Sequence, residues 1–176
     1  MVDAATPRAT KVLLVGVLAA ACTATAWYLL AAPADDPRAA GRVLLLLTVL
    51  FLGRVMGQLA VALRAPSWLP PMSQWNLLPY RYLLPIQLVF LSVMGVVCAA
   101  FLDGSDDGAL TTPRTAVGAA VVVVSGAYAG AMVIRYVVRM RRRPEQRWFG
   151  GTIPIVFHWV LAAFLLVYGV YNLRAA

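Results

Sequence analysis

A chain of 176 residues with 62% hydrophobic and only 12% charged side chains carries roughly half the charge of a soluble domain, where about 25% is usual. That deficit and a mean hydropathy of +0.80 argue for membrane integration. The net charge of +8, from 15 Lys and Arg against 7 Asp and Glu, would suggest nucleic acid on a soluble protein. Here the cations flank apolar segments, so nucleic acid is set aside in favour of orientation and contact with anionic lipid.

Five apolar stretches follow in chain order: Val12–Ala31, Val43–Leu63, Tyr82–Leu102, Thr115–Val138 and Thr152–Leu173. Each approaches the roughly 20 residues that a helix needs to cross about 30 Å of hydrocarbon. The expected fold is therefore an all-α, polytopic membrane bundle of five helices, with residues 1–176 forming a single transmembrane domain. In the first stretch, Arg8 and Lys11 followed by Val12–Ala21 resemble the start of a signal peptide, but apolar sequence continues through Trp27–Leu30. That is too long for a signal h-region, so the segment reads as an uncleaved span.

Pro33 and Pro37 break the chain before the second span. That span carries Gly53 and Gly57 at a four-residue spacing, and the fourth span carries Gly126 and Gly130. Such spacing lets helix backbones approach closely, so the two glycine faces are expected to pack together. Between spans two and three lies RAPSWLPPMSQWNLLPYR (64–81), in which Trp68, Trp75 and Tyr80 alternate with four prolines. The prolines exclude a continuous helix, and the aromatics mark an interfacial segment in which Arg81 takes part; Trp148, Phe149 and Trp159 would join that belt. The loop Asp103–Thr112 has acidic residues and glycines but no calcium-loop ligand series, and reads as an acidic turn. Cys22 and Cys98 sit at different expected depths and read as small packing residues rather than a disulfide.

Orientation follows from the cations. Arg8, Lys11, Arg64, Arg81, Arg139, Arg141–Arg143 and Arg147 fall on one side, while Asp35, Asp36, Asp103, Asp106 and Asp107 fall on the other with fewer cations, Arg38, Arg42 and Arg114. The positive-inside rule then puts the N-terminus in the cytoplasm and the C-terminus outside a cell membrane.

All seven acidic residues lie outside the spans, which removes the buried carboxylate that proton relays and cation pathways use. What the spans contain instead is Arg54, Gln58, Gln87, Arg135 and His158. Counted from the cytoplasmic helix ends at 1.5 Å per residue, Arg135 lies at about 5 Å, Gln58 and Gln87 at about 8 Å, His158 at about 9 Å and Arg54 at about 13 Å. Arg135 is shallow enough to snorkel. Arg54 is not, and a cation near the midplane needs a partner, expected to be Gln58, Gln87 or the anionic group of a ligand. Gly150-Gly151-Thr152-Ile153-Pro154 reads as a turn, a Thr N-cap and a proline in the first helical turn. It would aim the positive end of span five at the same layer.

Two short resemblances bear on this layer. Phe157-His158-Trp159 with Ala162 and Phe164 resembles a run in membrane b-type cytochromes, whose histidine ligates haem. With one histidine in the chain a bis-histidine site cannot form, so no haem, other cofactor or metal is expected. Gly53-Arg54-Val55-Met56-Gly57-Gln58 resembles the first repeat helix of cation–proton antiporters, carriers that use the buried carboxylates this chain lacks.

The leading functional expectation is a small membrane protein that binds a lipid or other amphipathic anionic ligand in a cytoplasm-facing pocket lined by Arg54, Gln58, Gln87, Arg135 and His158. The expected partners are anionic lipid at the cytoplasmic face and a second membrane protein, as accessory subunit, or a further copy of the chain. One alternative is a membrane enzyme with His158 as acid/base and Arg54 as anion clamp; no nucleophile–base pair supports it. Another is an oligomeric carrier or channel.

Overall fold

The computed structural model describes residues 8–33, 35–72, 75, 79–104, 108–142 and 152–175. It contains α1 (Arg8–Ala31), α2 (Pro37–Arg64), α3 (Tyr80–Asp103), α4 (Thr115–Arg142) and α5 (Ile153–Arg174). All five are long and apolar enough to cross a membrane. The chain is thus an all-helical bundle of membrane-spanning type. The expectations placed on Asp106, Asp107, Arg143, Arg147, Trp148, Phe149, Gly150 and Gly151 lie outside the described residues.

Helix ends follow local chemistry. α2 starts six residues before the apolar run because Asp36 caps it, accepting the Arg38 N–H at 2.8 Å, and Pro37 occupies the first turn. There a missing N–H costs nothing, so Pro37 begins the helix instead of blocking it. α2 ends at Ala65, whose φ of 41° is left-handed and whose N–H returns to the Val61 carbonyl; Pro66 then prevents continuation. α3 ends at Gly104 with φ of 71°, a conformation that glycine adopts without steric penalty. Thr152 stands at the N-cap of α5 as expected, but its backbone is already helical and its side chain makes no capping bond.

α5 is the centre of the bundle. It packs against α4, α2 and α1, while α2 also holds α1 and α3. Its apolar residues run all round the helix (IPIVFHWVLAAFLLVYGV), which suits a strut enclosed by neighbours. α4 leans on α5 and is otherwise largely exposed, as a lipid-facing helix is.

The expected pairing of the Gly53/Gly57 and Gly126/Gly130 faces is corrected by this packing. A Cβ added at Gly53, Gly126 or Gly130 meets nothing within 4 Å. The close helix approach is made by Gly118 of α4 and Gly169 of α5 instead. A Cβ on Gly118 would lie 2.9 Å from the Gly169 carbonyl oxygen, and one on Gly169 would lie 2.8 Å from Val122. Ser125 adds a buried bond across the same seam, donating to the Ala162 carbonyl at 2.8 Å.

The two ends of the bundle differ. At the Arg174 end, side chains tie helices to backbone carbonyls. Arg174 donates to the carbonyls of Tyr28 at 3.1 Å and Ala32 at 3.3 Å, satisfying acceptors that the end of α1 leaves open. Tyr171 donates to Thr111 at 3.0 Å, and the Arg114 N–H donates to Asn172 at 3.1 Å. Phe101 of α3 packs edge-on against Tyr168 and Tyr171 with centroids 5.8 and 4.7 Å apart. Cys98 is buried beside Thr48, and Cys22 is exposed on α1; both thiols are free. The opposite end, marked by Trp75, is where a cavity opens.

Candidate functional site

A cleft of about 490 Å³ lies between α1, α2, the 64–81 connection and the start of α5. Its floor is set by Trp75, which is 3% exposed and packs on Gly57 of α2. A Cβ at residue 57 would come within 2.7 Å of the indole, so glycine is what lets the ring seat there. The indole Nε1 donates to the Pro70 carbonyl at 3.0 Å, satisfying the one polar atom that the ring buries. The connection is tied to α1 as well, through Thr10 Oγ1 donating to the Trp68 carbonyl at 3.3 Å. Trp68 itself is 58% exposed at the cleft edge.

The two tryptophans therefore differ: Trp68 faces outward, as an interfacial residue does, while Trp75 is a buried part of the bundle. Tyr80 is half-buried at the start of α3. Arg81 is exposed beside it, with its guanidinium 4.7 Å from the centre of the Tyr82 ring.

Among the described residues that line this cleft, Arg54 is the one charged side chain. It is only 5% exposed. Its guanidinium carbon lies 5.8 Å from the ring centres of both Phe51 and Phe157, and its Nε is buried without a hydrogen-bond partner. The expected hydrogen bond from Arg54 to a glutamine is not made among the described residues. Gln58 and Gln87, 0% and 2% exposed, pair with each other instead: Gln87 Nε2 donates to Gln58 Oε1 at 2.6 Å across the α2–α3 seam. Neither lines the cleft. Matching depth brought the two amides together, but helix rotation turned them toward α3 and away from α1.

His158 is half-buried and turned toward α4. Its Nδ1 bonds the Pro154 carbonyl one turn back, and its ring lies tilted against Tyr128 with centroids 5.7 Å apart. With Nδ1–H committed to that carbonyl, the neutral ring presents Nε2 as an acceptor. Arg135 is half-buried on α4, two turns beyond Tyr128.

His158 thus faces Tyr128 rather than the cleft, and Tyr128 is a residue that sequence reasoning passed over. Its i,i+7 relation to Arg135 on span four was the available signal. The described acidic residues of the helices and their caps, Asp36 and Asp103, are at the Arg174 end, and no His/Cys/Asp/Glu cluster suited to a metal occurs among the described residues. Among the described residues, no acidic side chain lines the cleft with Arg54.

Comparison with known proteins finds no matching family model, no matching curated protein and no matching solved structure. The fold and site define the chain's class, a five-helix membrane-type bundle with a one-sided apolar cleft and a buried arginine in its wall.

Proposed function

We propose that this protein binds a lipid or other amphipathic anionic ligand in the cleft between α1, α2 and α5, in a cell membrane and with the Trp75 end toward the cytoplasm. The observation that carries the reading is Arg54: 5% exposed, at the wall of a largely apolar cleft, with its Nε buried and without a hydrogen-bond partner. A buried cation of this kind is unfavourable unless an anion, water or polar group meets it. A cleft of about 490 Å³ beside it falls within the roughly 300–1,000 Å³ typical of small-molecule sites, which combine apolar walls with a few placed polar groups. The cytoplasmic assignment is supported by Arg64, Arg139, Arg141 and Arg142 at the Trp75 end against Asp35, Asp36 and Asp103 at the other. Around the protein, at its cytoplasmic surface rather than in the cleft, anionic lipid of the inner leaflet is the contact this distribution favours.

Native mass spectrometry of the full chain, released from membranes in mild detergent, tests the reading. The wild-type protein is expected to carry an anionic adduct that Arg54→Gln loses and Arg135→Gln keeps. An adduct retained equally by Arg54→Gln would remove the cleft as its site.

A further inference from the structure

The depth of Arg54 and the direction in which the cleft extends from it narrow the ligand. Arg54 lies about 15 Å along α2 from Arg64, which is half of a hydrocarbon core of about 30 Å. A phospholipid resting in a leaflet keeps its charged headgroup at the interface, a half-membrane away from this guanidinium. Above Arg54 the cleft reaches only Val49 and Leu50; below it runs past Gly57 and Ala60 to Trp68, Trp75 and Ile153. A ligand paired with Arg54 therefore has its charge deep and its body toward the interface, the reverse of a leaflet lipid.

Resting on the proposed reading of the cleft as an anion site, we infer that its ligand is a compact hydrophobic monocarboxylate, not a bilayer phospholipid. One charged side chain among the described lining residues calls for one negative charge. The guanidinium fork matches the two oxygens of a carboxylate in a bidentate pair. Trp68, Trp75 and Phe157 supply flat apolar walls for a rigid body, and about 490 Å³ accommodates one such molecule. Entry is lateral as well as from the interface, because Leu13, Val49 and Met56, which line the cleft, are each more than half exposed.

The cleft tryptophans provide the readout. The full chain, in nanodiscs of zwitterionic lipid, is titrated with pyrenebutyrate and with its neutral analogue pyrenebutanol, following energy transfer from tryptophan to pyrene. Pyrenebutyrate is expected to bind saturably and at least tenfold more tightly than pyrenebutanol. Arg54→Gln abolishes that difference and Arg54→Lys restores part of it. Gly53→Leu weakens both probes at least tenfold, since residue 53 lines the cleft and a side chain there meets no packed atom within 4 Å. Adding phosphatidylglycerol to the nanodiscs leaves pyrenebutyrate binding unchanged.

Two results would overturn the inference in different ways. Displacement of pyrenebutyrate by phosphatidylglycerol, with phosphatidylglycerol retention dependent on Arg54, refutes the carboxylate assignment and leaves the anion site standing. Binding of acid, alcohol and phosphatidylglycerol that is indifferent to both Arg54→Gln and Gly53→Leu refutes the site as well.

Discussion

Replacing Arg54 with methionine is expected to stabilise the ligand-free protein while abolishing ligand retention. An arginine at the centre of a membrane helix costs about 2.5–3.5 kcal/mol on insertion scales. The structure offers partial compensation from Phe51 and Phe157, each with its ring centre 5.8 Å from the guanidinium carbon. That distance is near the outer limit of about 6 Å for such contacts, so each ring returns roughly 0.5–1 kcal/mol. With the Arg54 Nε buried and without a hydrogen-bond partner, roughly 0.5–2.5 kcal/mol, centred near 1.5, remains uncompensated. Methionine keeps an unbranched chain against the same walls and removes the charge. The assay is SDS titration of protein stripped of ligand in mixed micelles, followed by far-UV circular dichroism. Arg54→Met should unfold later by about 1.5 kcal/mol, with the order reversing when ligand is restored, since only the wild type gains binding free energy. A stripped Arg54→Met protein less stable than wild type would show that Arg54 is a structural residue and refute the reasoning.

Gly57→Leu should unseat Trp75 and destabilise the protein, because a Cβ there already falls 2.7 Å from the indole; Gly53→Leu should leave unfolding unchanged, and comparing the two in SDS checks the assignment of floor and wall. For the amide pair, Gln58→Leu and Gln87→Leu should each cost about 1–3 kcal/mol by stranding the partner. The double variant should cost less than their sum, and strict additivity would mean that the 2.6 Å bond is not made. Gly118→Leu should weaken the α4–α5 seam, read as increased protease cleavage between spans four and five, because the added atoms fall within 3.0 Å of Gly169, Asn172 and Leu173. On topology, single cysteines placed at Arg142 and Asp106 in a chain lacking Cys22 and Cys98 should be labelled in sealed cells from opposite sides, position 106 from outside; external labelling at 142 would turn the cleft away from the cytoplasm.

Which helices form was written in the apolar run lengths, since only hydrocarbon-spanning helices satisfy every backbone group within the membrane. The start of α2 lies ahead of the apolar run because Asp36 supplies a cap that makes Pro37 a first-turn residue, a role that an apolar run length does not reveal. Helix rotation was not legible. A small-residue spacing says that a face permits close approach, not which helix takes it up, so Gly53, Gly126 and Gly130 drew attention that belonged to Gly118 and Gly169. Arg54 stood out from sequence because a midplane cation is costly wherever it points. Gln58 and Gln87 shared its depth but pair with each other across the α2–α3 seam. The burial of Trp75 was hidden for a similar reason: a proline-rich aromatic loop has the same composition whether it lies on the interface or folds back into a bundle.

A density map of the full chain extracted with its surrounding membrane tests the central claim most directly. The account predicts an elongated feature in the cleft between α1, α2 and α5, with one end within hydrogen-bond distance of the Arg54 guanidinium and the body running toward Trp68 and Trp75. A map in which the cleft is closed, and Arg54 donates to the chain's own carbonyl groups, would contradict it.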